Sequence, residues 1–227
     1  MPTFTPADYD AILLSVKVAV TATIVSLPFG FAASYILTYG KFRGKLLLEA
    51  LVNLPLTLPP VVVGYLLLLL LGNKGWLAPL LKACGVQILF TWKAAVIASV
   101  IVGFPLLVRS IRIGMEGIER ELLLASRTLG AGRLDTLLTI VVPLSMRGVA
   151  AGSSLIFARS LGEFGATIIV AGNIPGVTQT IPLAIYDYVG APGGEPLALS
   201  LCLVSVVISL AVLIFHEALA RRLTRRD

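Results

Sequence analysis

Apolar runs without charge divide this chain into stretches separated by short basic or Gly/Pro-rich segments. Residues 18–40 carry no charge, and 23 residues at 1.5 Å each cross the roughly 30 Å of bilayer hydrocarbon as a helix, with a bend expected near Pro28 and Gly30. Residues 50–73 form a second run, but Pro55, Pro59 and Pro60 in the segment LPLTLPP predict a broken helix. Residues 94–108 are short for a crossing, so this span borrows 90–93, where Lys93 can snorkel. Residues 148–172 and 196–216 complete the set. The pattern predicts an all-α, polytopic membrane protein of one transmembrane domain, 1–227, with spans at about 12–40, 50–73, 90–109, 148–172 and 196–217.

Composition agrees: 57% of residues are apolar, 13% charged, and the mean hydropathy is +0.96. The net charge of +6 does not point to nucleic acid, because the basic residues sit in short segments between apolar runs, as membrane topology requires. The opening MPTFTPADYD lacks the basic leader of a cleaved signal peptide, so the first apolar run is expected to remain as a span. Cys84 and Cys202 stand far apart with no nearby histidine, which gives metal binding no support. Trp76 and Trp92 suit an interfacial segment over 74–93, and 173–195, rich in Gly, Pro, Thr and Gln, reads as a loop with a short helix around 182–188. The charge-free stretch 164–186 leaves an extra or re-entrant crossing open.

With five spans and the N-terminus outside, thirteen Lys and Arg fall on the inner side and three on the outer, a strong positive-inside bias. The C-terminus and its basic tail EALARRLTRRD are then cytoplasmic. So is 110–147, the longest polar interruption. Within it, Ile118, Leu122, Ala125 and Leu129 share one helical face, and Glu116 and Arg120 form an i,i+4 pair. Gly130, Ala131 and Gly132 supply a turn; Leu134, Leu137, Leu138 and Val141 begin a second stripe, and Pro143 closes the unit. Arg159 and Glu163 lie in the middle of the fourth span. Single charges there cost roughly 2.5 to 3.5 kcal/mol on insertion scales, so they are expected to face protein, a cavity or each other. Both a structural ion pair and a place on a transport path satisfy that expectation.

Leu124-Ala125-Ser126, three residues, Gly130, nine residues, then Ile140, Val141, Val142 and Pro143 resembles the E-A-A-x3-G-x9-I-x-L-P signature of permease subunits of bacterial and archaeal ABC importers. The chain departs from it at Leu124, Ser126 and Val142. The segments LPLTLPPVVVGYLLL, ARSLGEFGAT, AGNIPG and PGGE extend the resemblance along the whole chain, most closely to molybdate permeases, with sulfate/thiosulfate and tungstate permeases as the alternatives.

The resemblance implies a homodimer in a prokaryotic cell membrane, two cytoplasmic ATPase subunits that bind ATP and Mg, and an extracytoplasmic oxyanion-binding protein. It also implies that Leu124, Ala125, Ser126, Gly130, Ala131 and Pro143 belong to the loop that couples to the ATPase. Ser160, Thr167, Arg159 and Glu163 are the candidates for the translocation path. The chain has no GxxxxGK[ST] loop and no catalytic cluster, so it is not expected to be an enzyme or to bind a cofactor itself. A secondary transporter is disfavoured because no internal repeat is visible, and a membrane enzyme because no catalytic constellation is.

Overall fold

The computed structural model describes residues 4–72 and 75–224, without the side chains of 216, 217 and 219–224. The expected charges at Lys74, Arg225 and Arg226 lie outside the described residues. Among those described there are helices and no strands: α1 (Pro6–Tyr39), α2 (Lys45–Thr57), α3 (Pro60–Leu71), α4 (Ala78–Ala83), α5 (Trp92–Glu116), α6 (Arg120–Thr128), α7 (Arg133–Thr136), α8 (Val142–Leu161), α9 (Gly165–Ala171), α10 (Ile181–Gly190) and α11 (Glu195–Thr224). Four stretches are long and apolar enough to cross a membrane: α1, α5, Arg133–Leu161 and Glu195–Phe215. The pair α2 and α3, bent by 113° at Leu58 and Pro59, is apolar enough to count as a fifth if it is one broken span rather than a re-entrant loop.

α1 begins in a capping box, in which Asp8 N donates to Thr5 Oγ1 and Thr5 N donates to Asp8 Oδ2 at 2.7 Å, with Pro6 in the first turn where no N–H is missed. The helix starts earlier than the first apolar run because its first turns have their own partners. Tyr188 Oη donates to Asp8 Oδ1 at 2.7 Å, Ile181 N donates to the Ser15 hydroxyl at 2.7 Å, and Ala11 packs with Ile181, Ala184 and Leu201. Lys17, a charge inside the expected first span, lies 4.1 Å from the centroid of the Trp92 ring. α1 continues unbroken through Pro28.

α5 is the central helix, packed between α1 and α8. Small residues permit the close approach: a Cβ on Gly148 would stand 2.7 Å from the Ser110 carbonyl oxygen, and one on Gly152 would meet Leu107 at 2.9 Å. The Ser34 hydroxyl crosses from α1 to the Val108 carbonyl at 3.0 Å, and other hydroxyls bond back along their own helices.

Two expected boundaries are corrected. Pro143 does not close a separate unit, because Arg133–Leu161 is helical throughout. A π-helical turn, Leu137–Val141, precedes α8, and Pro143 falls in the first turn of α8, where the change of register leaves little use for its missing N–H. The helix that carries the fourth span accordingly runs from 133 to 161, beginning inside the polar segment and stopping short of 172, and residues 162–164 break it before α9. With seven and ten residues, α9 and α10 are each too short to cross alone.

The two breaks lie against each other. A Cβ on Gly165 would be 3.0 Å from Pro60 Cβ and 3.2 Å from Val61 N, and one on Gly64 would be 2.8 Å from the Ala166 carbonyl oxygen. Val63 and Leu67 of α3 share a core with Ala166 and Val170 of α9 and with Ala94, Ala95 and Ala98 of α5. Phe90 adopts a left-handed backbone (φ 57°), and its N–H is bonded to the Val170 carbonyl at 3.0 Å.

The α5–α8 contact gives a direct test. Gly148→Leu should lower the thermal midpoint of the detergent-purified protein by several degrees, since overpacking a close contact costs about 1 to 3 kcal/mol. Gly190→Leu should be tolerated, because nothing lies within 4 Å of a Cβ there. Thermal unfolding of the two variants checks both.

Candidate coupling segment and intramembrane ion pair

The polar segment 110–147 starts inside a helix, because α5 runs on to Glu116. Arg112 explains the overrun: Nε lies 2.7 Å from Glu116 Oε1 on its own helix, and Nη1 lies 2.5 Å from Glu49 Oε1 on α2. The expected Glu116–Arg120 pair does not form, since α5 ends at Gly117 and Glu119 caps a separate helix.

α6 ends in a Schellman turn. Ala131 N donates to the Ser126 carbonyl at 3.0 Å and Gly130 N to the Arg127 carbonyl at 3.1 Å, with Gly130 at φ +87° in the left-handed region that favours glycine. Ser126 is buried, and its hydroxyl lies 3.1 Å from that of Thr136, itself buried, so one hydroxyl pair ties α6 to α7. Ser126 therefore faces inward and is not part of an outer contact face.

Its neighbours face the other way. Of the apolar stripe read from spacing, Ile118 is buried in the turn before α6 and packs in one core with Met115 and Val141. Leu122, Ala125 and Leu129 are exposed, as are Leu124, Leu134 and Leu138; Leu129 reaches 88%. α6 thus presents leucines that the described residues leave uncovered.

Arg159 and Glu163 do meet, with Nη1 and Oε2 2.7 Å apart. The geometry differs from a shared helix face, since Arg159 stands in the last turn of α8 and Glu163 lies beyond the Gly162 cap, in the break. Glu163 is 2% exposed, and its Oε1 accepts from Ala166 N at 2.8 Å, satisfying a first-turn N–H of α9. Ser160 is buried next to this pair with a hydroxyl that has no hydrogen-bond partner among the described residues, and Thr167 is buried in the first turn of α9, across the break.

Several polar contacts escaped the sequence reading. Arg109 Nε donates to Asn53 Oδ1 at 2.8 Å beside the Arg112–Glu49 pair, so α2 is fastened to the Arg112 end of α5 by two polar links. The spacings were available, Glu49 with Asn53 and Arg109 with Arg112 each sharing a helical face, but nothing in the sequence pairs the two helices. Asn173 and Gln179 both donate to Asp187, closing the loop before α10.

This arrangement, an amphipathic polar segment continuous with one of several apolar spans, is matched along most of the chain by one family model, over residues 26–225. The chain belongs to the binding-protein-dependent transport system inner membrane component family. It is 47% identical over 218 residues to the molybdenum transport system permease protein ModB of Escherichia coli K12, covering 96% of this chain and 95% of that protein. It is 45% identical to ModB of Haemophilus influenzae, covering 96% of each. The sulfate transport system permease protein CysW of Synechococcus elongatus is 35% identical over 78% of this chain and 62% of its own length. Among solved structures, a bacterial ABC transporter for alginate import has a TM-score of 0.78 at 16% identity, over 96% of this chain and 80% of that one. An inward-facing MetNI methionine transporter reaches 0.70 at 16% identity, over 97% and 99%. The fold is that of ABC importer permeases, and the chain is a multi-pass inner membrane protein.

If the buried carboxylate and its guanidinium depend on each other, Glu163→Ala and Arg159→Ala should each destabilise the protein by roughly 3 to 5 kcal/mol, and the double change by clearly less than their sum. A double-mutant cycle on thermal unfolding reads the coupling; additive losses would exclude it.

Proposed function

We infer that this chain is the permease of an ATP-driven molybdate importer, working as a homodimer with two cytoplasmic ATPase subunits and an extracytoplasmic oxyanion-binding protein. The carrying observation is 47% identity to a molybdenum permease over nearly the full length of both chains. Tungstate and sulfate are the alternatives, and the lower identity and coverage of the sulfate relative favour molybdate. ATP and Mg belong to the ATPase subunits, and this chain holds neither.

The Arg112 end of α5 faces the cytoplasm and the Trp92 end the outside, a reading supported by the excess of basic residues at the former. The exposed leucines of α6 then meet the ATPase, through shape and apolar contact rather than an acid at position 124. When the ATPase subunits close on nucleotide, α6 moves with them. The Ser126–Thr136 pair passes the displacement to α7, and the unbroken helix Arg133–Leu161 carries it to the opposite end, where Arg159 and Glu163 adjoin the broken backbone.

Broken helices at membrane depth are tolerated where they are buried in protein or line a watery path. Gly165 at the second break is buried and satisfies the first condition within this chain, whereas Pro59 and Val61 at the first break are exposed. Ser160, Thr167, Arg159 and Glu163 beside the breaks are the proposed lining of the path, with hydroxyls that contact a passing oxyanion weakly enough to release it.

ATP hydrolysis by the reconstituted complex, measured with its binding protein loaded in turn with molybdate, tungstate and sulfate, tests the substrate. Molybdate should stimulate most strongly. Equal or greater stimulation by sulfate would overturn the assignment, and uptake that continues without ATPase subunits would overturn the transport class.

A further inference from the structure

A cleft of about 630 Å³ opens between the Arg112-side end of α1 and the coupling segment. Its polar lining is Tyr35 and Tyr39 from the end of α1, Lys41 just beyond it, Arg127 from α6, and Arg133 and Thr136 from α7, and Ile36 contributes to the apolar part. The charges are of one sign. No carboxylate of the described residues lies within 4 Å of Lys41, Arg127 or Arg133, whereas Arg112 and Arg159 have carboxylates and Arg109 has an amide. Tyr39 spends its hydroxyl proton on the Met115 carbonyl at 3.1 Å, and the Tyr35 hydroxyl has no hydrogen-bond partner among the described residues. Three cations from three elements around one cavity repel one another, and no ion pair among the described residues offsets the repulsion.

The cleft's position selects the anion. Tyr35 and Ile36 belong to the last turns of a membrane-spanning helix, and Lys41 and the two arginines lie just past its end, so the cavity straddles the boundary between hydrocarbon and water. A soluble anion needs no apolar wall. A phospholipid needs both, with its phosphate among the cations and its acyl chains beside Ile36, and basic pockets at helix ends bind anionic headgroups in this way. We propose that this cleft binds the phosphate of an anionic phospholipid, which bridges the end of α1 to the coupling helices α6 and α7. The bound phosphate neutralises the cluster and fixes the coupling segment against the transmembrane body, so that α6 cannot shift independently of α1.

The test uses the full transporter complex, delipidated in detergent, re-exposed to mixed micelles of phosphatidylglycerol and phosphatidylcholine, and analysed for retained lipid by native mass spectrometry. Wild type should retain phosphatidylglycerol over phosphatidylcholine. The double variant R127Q/R133Q should retain about tenfold less phosphatidylglycerol. The R127K/R133K variant, which keeps the charge, should hold it at close to the wild-type level and so separate loss of charge from loss of fold. Inorganic phosphate at millimolar concentration should leave retention unchanged. Retention by R127Q/R133Q equal to wild type would overturn the site. Displacement of the lipid by inorganic phosphate would assign the cleft to a free anion and overturn the lipid reading. Both readouts are independent of which oxyanion the complex imports.

Discussion

Inside hydrocarbon a backbone N–H or carbonyl has no water to turn to, so every interruption of a helix must find its partners in protein. This chain interrupts two of its spans, at Leu58-Pro59 and at 162–164, and sets the interruptions side by side. Pro59 and Pro60 remove two donors that would otherwise need acceptors. Glu163 bonds to the Ala166 N–H at the start of α9, and Gly64 and Gly165 let α3 and α9 close until little space is left between them. The Arg159 guanidinium then balances the charge that Glu163 brings into the interior. Arg159, Glu163, the two glycines and the two prolines thus form one solution to one constraint.

That solution also connects distant parts of the molecule. The helix ending at Arg159 begins at Arg133, where the coupling segment is clamped by Ser126 and Thr136. The π-helical turn at Leu137–Val141 and the close glycine contacts with α5 lie between. A motion imposed at the exposed leucines of α6 therefore has a stiff path to the stacked breaks. α2 is different: none of its residues is buried, and it is held to α5 by Arg109–Asn53 and Arg112–Glu49. Polar links at a membrane surface are weaker restraints than buried apolar packing.

Much of this was legible in the sequence where the physics is local. Charge-free length found the apolar helices α1, α5 and α11, and the LPP run located the first break. Spacing did less well wherever tertiary contacts override it. Pro143 read as a terminator because a proline inside a helix usually is one, and a π-helical turn cannot be seen in composition. Glu163 read as a helical residue because i,i+4 spacing suits Arg159, although the same contact forms across a helix end. Ser126 read as part of the coupling loop from a signature that does not say which way its hydroxyl points, and that hydroxyl turns inward, to Thr136. Lys17 was passed over because it bounds the charge-free run that begins at residue 18, and its partner Trp92 is 75 positions away.

The account rests on α6 being the surface through which a cytoplasmic ATPase moves the stacked breaks. Leu129→Cys in a background with Cys84 and Cys202 replaced by Ser, labelled with a membrane-impermeant maleimide in sealed vesicles of known orientation, tests this most directly. The account predicts labelling only when the cytoplasmic face is outward, and strong protection when the ATPase subunits are present. Labelling from the opposite face, or equal labelling with and without the ATPase, would contradict it.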